Sequence, residues 1–204
     1  MKPQTRPVKT GTGFPFFNVK IGDRTIGFRV PEIVQAQSVL EYWLNVLGSY
    51  RAWEEHASAL LEQAKQGQEP EGIEDASRQA TARRGELFGA LGFVLLSCWN
   101  DSELELESQT AWKNSFQIRQ ALRHNQPLDR FDALDVEATR HAIDKTIELQ
   151  TDIKTGFGLV AWDEMVVNGF TNHEIQKIAT GAIGLVAKSA GTQDTNEVEI
   201  LANF

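Results

Sequence analysis

The stretch from Ile73 to Trp99 constrains the fold of this chain most. Ile73, Ala76, Ala80, Leu87, Leu91, Val94 and Cys98 fall on one continuous helical stripe. The first half of the stretch is polar elsewhere, whereas the second half is apolar all round, so a helix here enters the core. Gly85, Gly89 and Gly92 lie inside it. Each costs ~1 kcal/mol of helix propensity, which close backbone approach of a neighbouring helix can offset. A membrane-spanning helix takes ~20 apolar residues, and the run Leu87 to Trp99 is shorter. The stretch predicts the spine of a helical bundle.

Other segments follow the same period. Pro31 opens a helix where its missing N–H costs nothing. Ile33, Ala36, Leu40, Trp43, Leu44 and Leu47 share a face, and Gly48 is expected to end the run. A second helix is expected from about Tyr50 to Gln66, with Trp53, Ala57, Leu60, Leu61 and Ala64 inward, before a loop at Gly67 to Gly72. Ser102 with Glu105 reads as a capping box starting a helix that runs to about His124, with Leu104, Ala111, Phe116, Ile118 and Leu122 apolar. Asp132 and Asp135 open another, placing carboxylates where the helix dipole favours them. On it Val136, Ile143 and Ile147 form one stripe, and Ala142, Leu149 and Ile153 a second, about 120° away. Gly156 and Gly158 are expected to weaken or bend the chain before Leu159 to Val167, and Asn168-Gly169 to stop it. Thr171 with Glu174 is a further capping box, opening a last helix that carries Ile175, Ile178, Ala182, Leu185 and Val186 on one face.

The N-terminal part has a different period. Residues 1–13 hold prolines and glycines and read as an extended arm. From 14 to 30, Phe17, Val19 and Ile21, then Ile26, Phe28 and Val30, alternate with polar residues around Gly22-Asp23, a hairpin pattern. An isolated hairpin is marginal in water, so it must pack on the helices or pair with another chain. Residues 31–190 make the helical domain. Residues 191–204 form a polar, acidic tail that becomes apolar at Val198, Ile200, Leu201 and Phe204. The expected fold is mostly α: a bundle of about six helices with a small N-terminal β-hairpin and extended terminal arms. Apolar residues in the arms and on the second stripe mark a partner-binding set: Phe14, Phe16, Phe17, Leu149, Ile153, Ile200, Leu201 and Phe204.

Charge and chemistry narrow the function. The net charge is −8, from 28 acidic and 20 basic residues. Nucleic-acid binding needs a basic footprint, and only Lys2, Arg6 and Lys9, and the pair Arg83 and Arg84, cluster at all. No nucleic acid is expected as partner. The lone Cys98 excludes an internal disulfide and reads as a buried, inert thiol. The first residues lack the apolar stretch of a signal peptide, and no membrane partner is expected. A di-metal bundle would carry Glu-x-x-His on paired helices. Here Glu137 and His141 are four apart on one helix, with no matching second motif, and His173-Glu174 lacks the second His of a zinc-protease pattern. Asp163 and Glu164 read as a solvated face. Lys9-Thr-Gly-Thr-Gly13 lacks the strand, the Lys-Ser/Thr and the helix of a phosphate loop. No catalytic, cofactor-binding or metal-binding residue is assigned, and no cofactor.

Gly89-Ala-Leu-Gly-Phe-Val-Leu-Leu-Ser-Cys-Trp99, with Gly156-Phe-Gly-Leu-Val-Ala-Trp-Asp-Glu-Met-Val-Val-Asn-Gly-Phe-Thr-Asn-His-Glu-Ile175 further on, resembles a pattern of small tailed-bacteriophage tail-region proteins, tail-assembly-chaperone-like ones included. In those, an Ala-Leu-Gly-rich helix ends in Cys-Trp, and a later helix ends in Gly-x-Thr/Ser-x-x-Glu-Ile before a final helix. The resemblance covers about half the chain, from about Leu87 to Ala190. It implies morphogenesis without catalysis, with other phage structural or tail proteins as partners, in a homo-oligomer or hetero-complex. The host cytoplasm during assembly would be its place. The alternatives are a virion structural subunit of neck, connector or tail, and a metal-dependent helical-bundle enzyme around Glu137 and His141.

Overall fold

The computed structural model describes residues 7–8, 16–21, 23–29, 31–100 and 104–191. Its helices are α1 (Ile33–Lys65), α2 (Ile73–Cys98), α3 (Glu107–Arg123), α4 (Ala133–Leu149), α5 (Ile153–Val167) and α6 (Asn172–Ser189). Ahead of them lie β1 (Pro7–Val8), β2 (Phe16–Ile21) and β3 (Arg24–Arg29), an antiparallel sheet of order β1-β2-β3. The chain is a six-helix bundle carrying a small N-terminal sheet. β1 falls inside the segment read as an arm. Residues 1–6, 9–13 and 192–204 of the terminal arms lie outside the described residues.

The spine is α2, packed against α1, α5 and α6, with α3 and α4 outside α5. Every residue from Leu91 to Leu96 is buried. The expected close approach occurs at two of the three spine glycines. A Cβ on Gly92 would run into the backbone of Gly158, and one on Gly158 into the Gly89 carbonyl. Gly85 meets only the Leu149 side chain. Gly156 and Gly158 therefore do not interrupt the helix. α5 is continuous through Gly156 and Gly158, because two missing side chains let α5 lie on α4 and α2, where Gly156 faces the Ala142 carbonyl.

Three other expectations are corrected. Gly48 does not end a helix: α1 is continuous through it, with buried Leu47 and Tyr50 on either side, and a Cβ there would meet nothing. α3 starts at Glu107 rather than Ser102, with Leu106 as N-cap and no cap from its own side chain. The second stripe of α4 is broken, because Gln150 turns left-handed at φ 51 and Asp152 caps a new helix by accepting from the Lys154 backbone N. Ile153 thus belongs to α5, and Ile147, assigned to the first stripe, is 68% exposed. Ile33, Leu44, Leu61 and Phe116, also expected inward, are exposed.

Gly169, at φ +86, stops α5. The Thr171–Glu174 box then opens α6 as expected: Thr171 N donates to Glu174 Oε2 at 2.9 Å, and Glu174 N to Thr171 Oγ1 at 3.3 Å. The hairpin packs on the helices of its own chain. Ile26 and Phe28 are buried, Phe28 meets Trp99 edge-to-face at 5.7 Å, and the Asn100 N donates to the Gly27 carbonyl at 3.0 Å. Arg24 donates to the Asn168 carbonyl at 2.7 Å and lies 4.8 Å over the Phe170 ring, joining the sheet to the α5–α6 turn.

Candidate functional site

The end of α2, the start of α1, the end of β3 and one side of α3 enclose a groove of about 540 Å³. Its floor is fixed by the finish of α2. Trp99 leaves the helix in an extended conformation, and its indole N–H donates to the Leu104 carbonyl at 2.8 Å. Gln109, on the first turn of α3, donates to the Trp99 carbonyl at 2.6 Å and the Leu96 carbonyl at 3.2 Å. These are carbonyls that a helix end leaves without partners. Trp112, one turn on, is clamped edge-to-face by Phe93 at 5.0 Å and Phe157 at 5.2 Å.

One turn further, Phe116 stands on the lip of the groove and is 64% exposed. Lys113 and Arg119 flank it on α3, and Arg29 faces them from β3. Among the described lining residues the only carboxylate is Glu32, against the cations Arg29, Lys113 and Arg119. The described part of the lining is thus basic, on a chain of net charge −8. Pro31, also on the wall, accepts from Ser189 Oγ at 3.0 Å, so α6 ends at the rim.

A second cleft of about 600 Å³ lies between the start of α3, α4 and the end of α5. It collects Glu105, Glu107, Glu137, His141, Lys145, Asp163 and Glu164. The Glu137–His141 pair of the metal alternative thus opens onto a cleft with other carboxylates. Among the described residues, however, no group of three or more His, Cys, Asp and Glu is placed to hold a metal ion. Asp163 is exposed and 3.6 Å from Lys145. Glu164 is not the solvated residue expected. Half-buried, it accepts from Ser108 N at 2.9 Å and Ser108 Oγ at 2.8 Å, supplying the cap that Leu106 cannot. Burial raises its carboxyl above the usual Glu range, and the Ser108 hydrogen bonds oppose that rise. Cys98 is buried, and desolvation pushes its thiol up to about 12.

The described members of the expected partner-binding set lie on β2 and at the α4–α5 junction. Phe14, Ile200, Leu201 and Phe204 lie outside the described residues. Phe16 and Phe17 sit on β2, opposite Arg29 and Phe28. Leu149 and Ile153 are half-buried against their own chain, Leu149 beside Gly85 and Ile153 against the main core. The groove itself escaped the sequence reading. A signal for it existed: Ala111, Ser115, Ile118 and Leu122 share a face, and Phe116 lies roughly 130° away from it at 100° per residue.

Compared with protein-family models, curated proteins and solved structures, the chain has no significant match to any of them. No helix among the described residues is long and apolar enough to cross a membrane.

Proposed function

We propose that the chain works by binding other protein chains, as a tail-assembly-chaperone-like morphogenesis protein of a tailed phage. In this reading its groove holds a segment of another phage protein. The observation that supports binding is Phe116, a large aromatic 64% exposed beside a groove with cations on both walls. Aromatic anchors next to a concave, partly apolar surface are where protein segments bind most productively. The phage assignment draws on the resemblance alone. The segments that carry it, Gly89 to Trp99 and Gly156 to Ile175, meet at Gly89, Gly92 and Gly158, so in physical terms the shared pattern encodes a close helix pair.

A virion structural subunit is the second reading. After Tyr50 the only buried residue of α1 is Ala57, and before Glu86 the only one of α2 is Ala76. The distal parts of the two helices therefore form a two-helix hairpin with half-buried Trp53 and Leu60 and exposed Leu61, a surface suited to neighbours in a lattice.

A photo-crosslinking phenylalanine analogue at Phe116, in cells making the whole set of phage proteins, tests the first reading. The expected product is an adduct with a tail or neck protein, with the chain absent from finished particles. Adducts confined to other copies of the chain, together with its recovery in particles and a large defined oligomer by light scattering, would transfer the assignment to the second reading.

A further inference from the structure

We propose that the chain associates head-to-tail with copies of itself, the Phe116 lip of one copy entering the cleft between α3, α4 and α5 of the next. Three observations lead there. The first is complementarity. Lys113 and Arg119 flank Phe116, which is 64% exposed. Among the described residues Lys113 has no partner, and Arg119 uses only its Nε, which donates to the Ser115 carbonyl at 3.3 Å. The cleft presents the opposite set. The carboxylates of Glu107 and Glu137 make no hydrogen bond or ion pair among the described residues, and beside them stands Val167, 86% exposed. The second is room: the cleft, at about 600 Å³, can take an aromatic side chain with its flanking cations on the rim. The third is direction. Glu107, on the cleft, and Phe116, on the lip, are nine residues apart on α3, which at 100° per residue turns them about 180° from each other.

A lip and a cleft that face opposite ways cannot meet within one copy. A two-fold pair through the lip would set cation against cation. The contact that satisfies both is one patch on a different patch, which repeats into a ring or a filament. Each chain carries −8, but at physiological salt the Debye length is about 8 Å, so opposite charges in contact outweigh that distant repulsion. The inference shares Phe116 with the reading above but needs no other protein, so each can fail alone. In cells a foreign segment would compete with the neighbouring copy for the lip.

The test is sedimentation equilibrium of the purified full chain, whose mass should climb with concentration past two copies. Phe116→Ala/Arg119→Ala removes the lip, and Glu137→Gln/Val167→Arg blocks the cleft. Each should weaken association at least ~10-fold, with the denaturant midpoint of the unaltered chain as the check that the fold is kept. An equal mixture of the two variants holds one intact lip and one intact cleft per pair, and should give a 1:1 dimer and nothing larger. A monomer at every concentration up to ~1 mM overturns the proposal and leaves the lip to a foreign segment. A mass that stops at two copies, or association that either variant leaves unchanged, also overturns it. So does a mixture that stays monomeric or grows past the dimer.

Discussion

Glu164 on α5 accepts two hydrogen bonds from Ser108 on the first turn of α3, one from its backbone N and one from its hydroxyl. A carboxylate thus caps a helix 56 residues before it in sequence. Glu174 does the same job locally for α6, accepting from both N and Oγ1 of Thr171.

The two glutamates have opposite linkage to pH. Burial raises the Glu164 carboxyl, so its contribution to stability is fully present below the unfolded Glu range and is lost as pH rises through the raised value. The Thr171 hydrogen bonds lower the Glu174 carboxyl, so its contribution is present above the unfolded range and is lost as pH falls. Urea unfolding from pH 3 to 7 should therefore show Glu164→Gln and Glu174→Gln diverging from the unaltered chain with opposite slopes. Parallel slopes would show that the Ser108 hydrogen bonds outweigh the burial of Glu164 in solution.

Glycines should separate by surroundings. Gly158→Ala puts a Cβ into the Gly89 backbone, which neither helix can yield without parting, and should cost ~3 kcal/mol or more. Gly48→Ala meets nothing within 4 Å in an exposed helix interior and should gain ~0.5–1 kcal/mol. Denaturant midpoints decide the matter, and a loss at Gly48 would mean that α1 is interrupted there.

Gln109→Ala strips the carbonyls of Leu96 and Trp99 of a shared donor. We expect a loss of ~1–2 kcal/mol and a shift in the fluorescence of Trp99 and Trp112 as the groove floor relaxes. Unchanged stability and emission would show that water replaces the amide at no cost.

Arg24→Ala removes both the bond to the Asn168 carbonyl and the stacking on Phe170. β3 amides should exchange with solvent faster by about fivefold to tenfold, equivalent to ~1 kcal/mol, while the amides of α2 stay protected. Equal acceleration in both would mean the sheet and helices open as one unit.

Features written in neighbouring residues were legible in the sequence. The Thr171–Glu174 box, the Gly67–Gly72 loop, the hairpin alternation and the α2 stripe each need only a few adjacent positions. What failed depended on remote partners. Gly48 carries the composition of a helix end, yet burial of Leu47 and Tyr50 carries the helix across it. Glu164 looks solvated until Ser108 is placed beside it. Gly158 reads as a weak point because its reason, the Gly89 carbonyl, lies far away in sequence. The groove has the same origin: its walls come from β3, α1, α2 and α3, and no local window contains them.

α1 begins beside Pro31 and Glu32 at the groove and ends at Lys65 beyond the last buried contacts of the body. At 1.5 Å per residue its 33 residues form a strut roughly 50 Å long. A tilt of about 5° at its first turn would move the far tip by roughly 4 Å. The continuity of α1 through Gly48 thus fixes how far the two-helix tip stands from the groove.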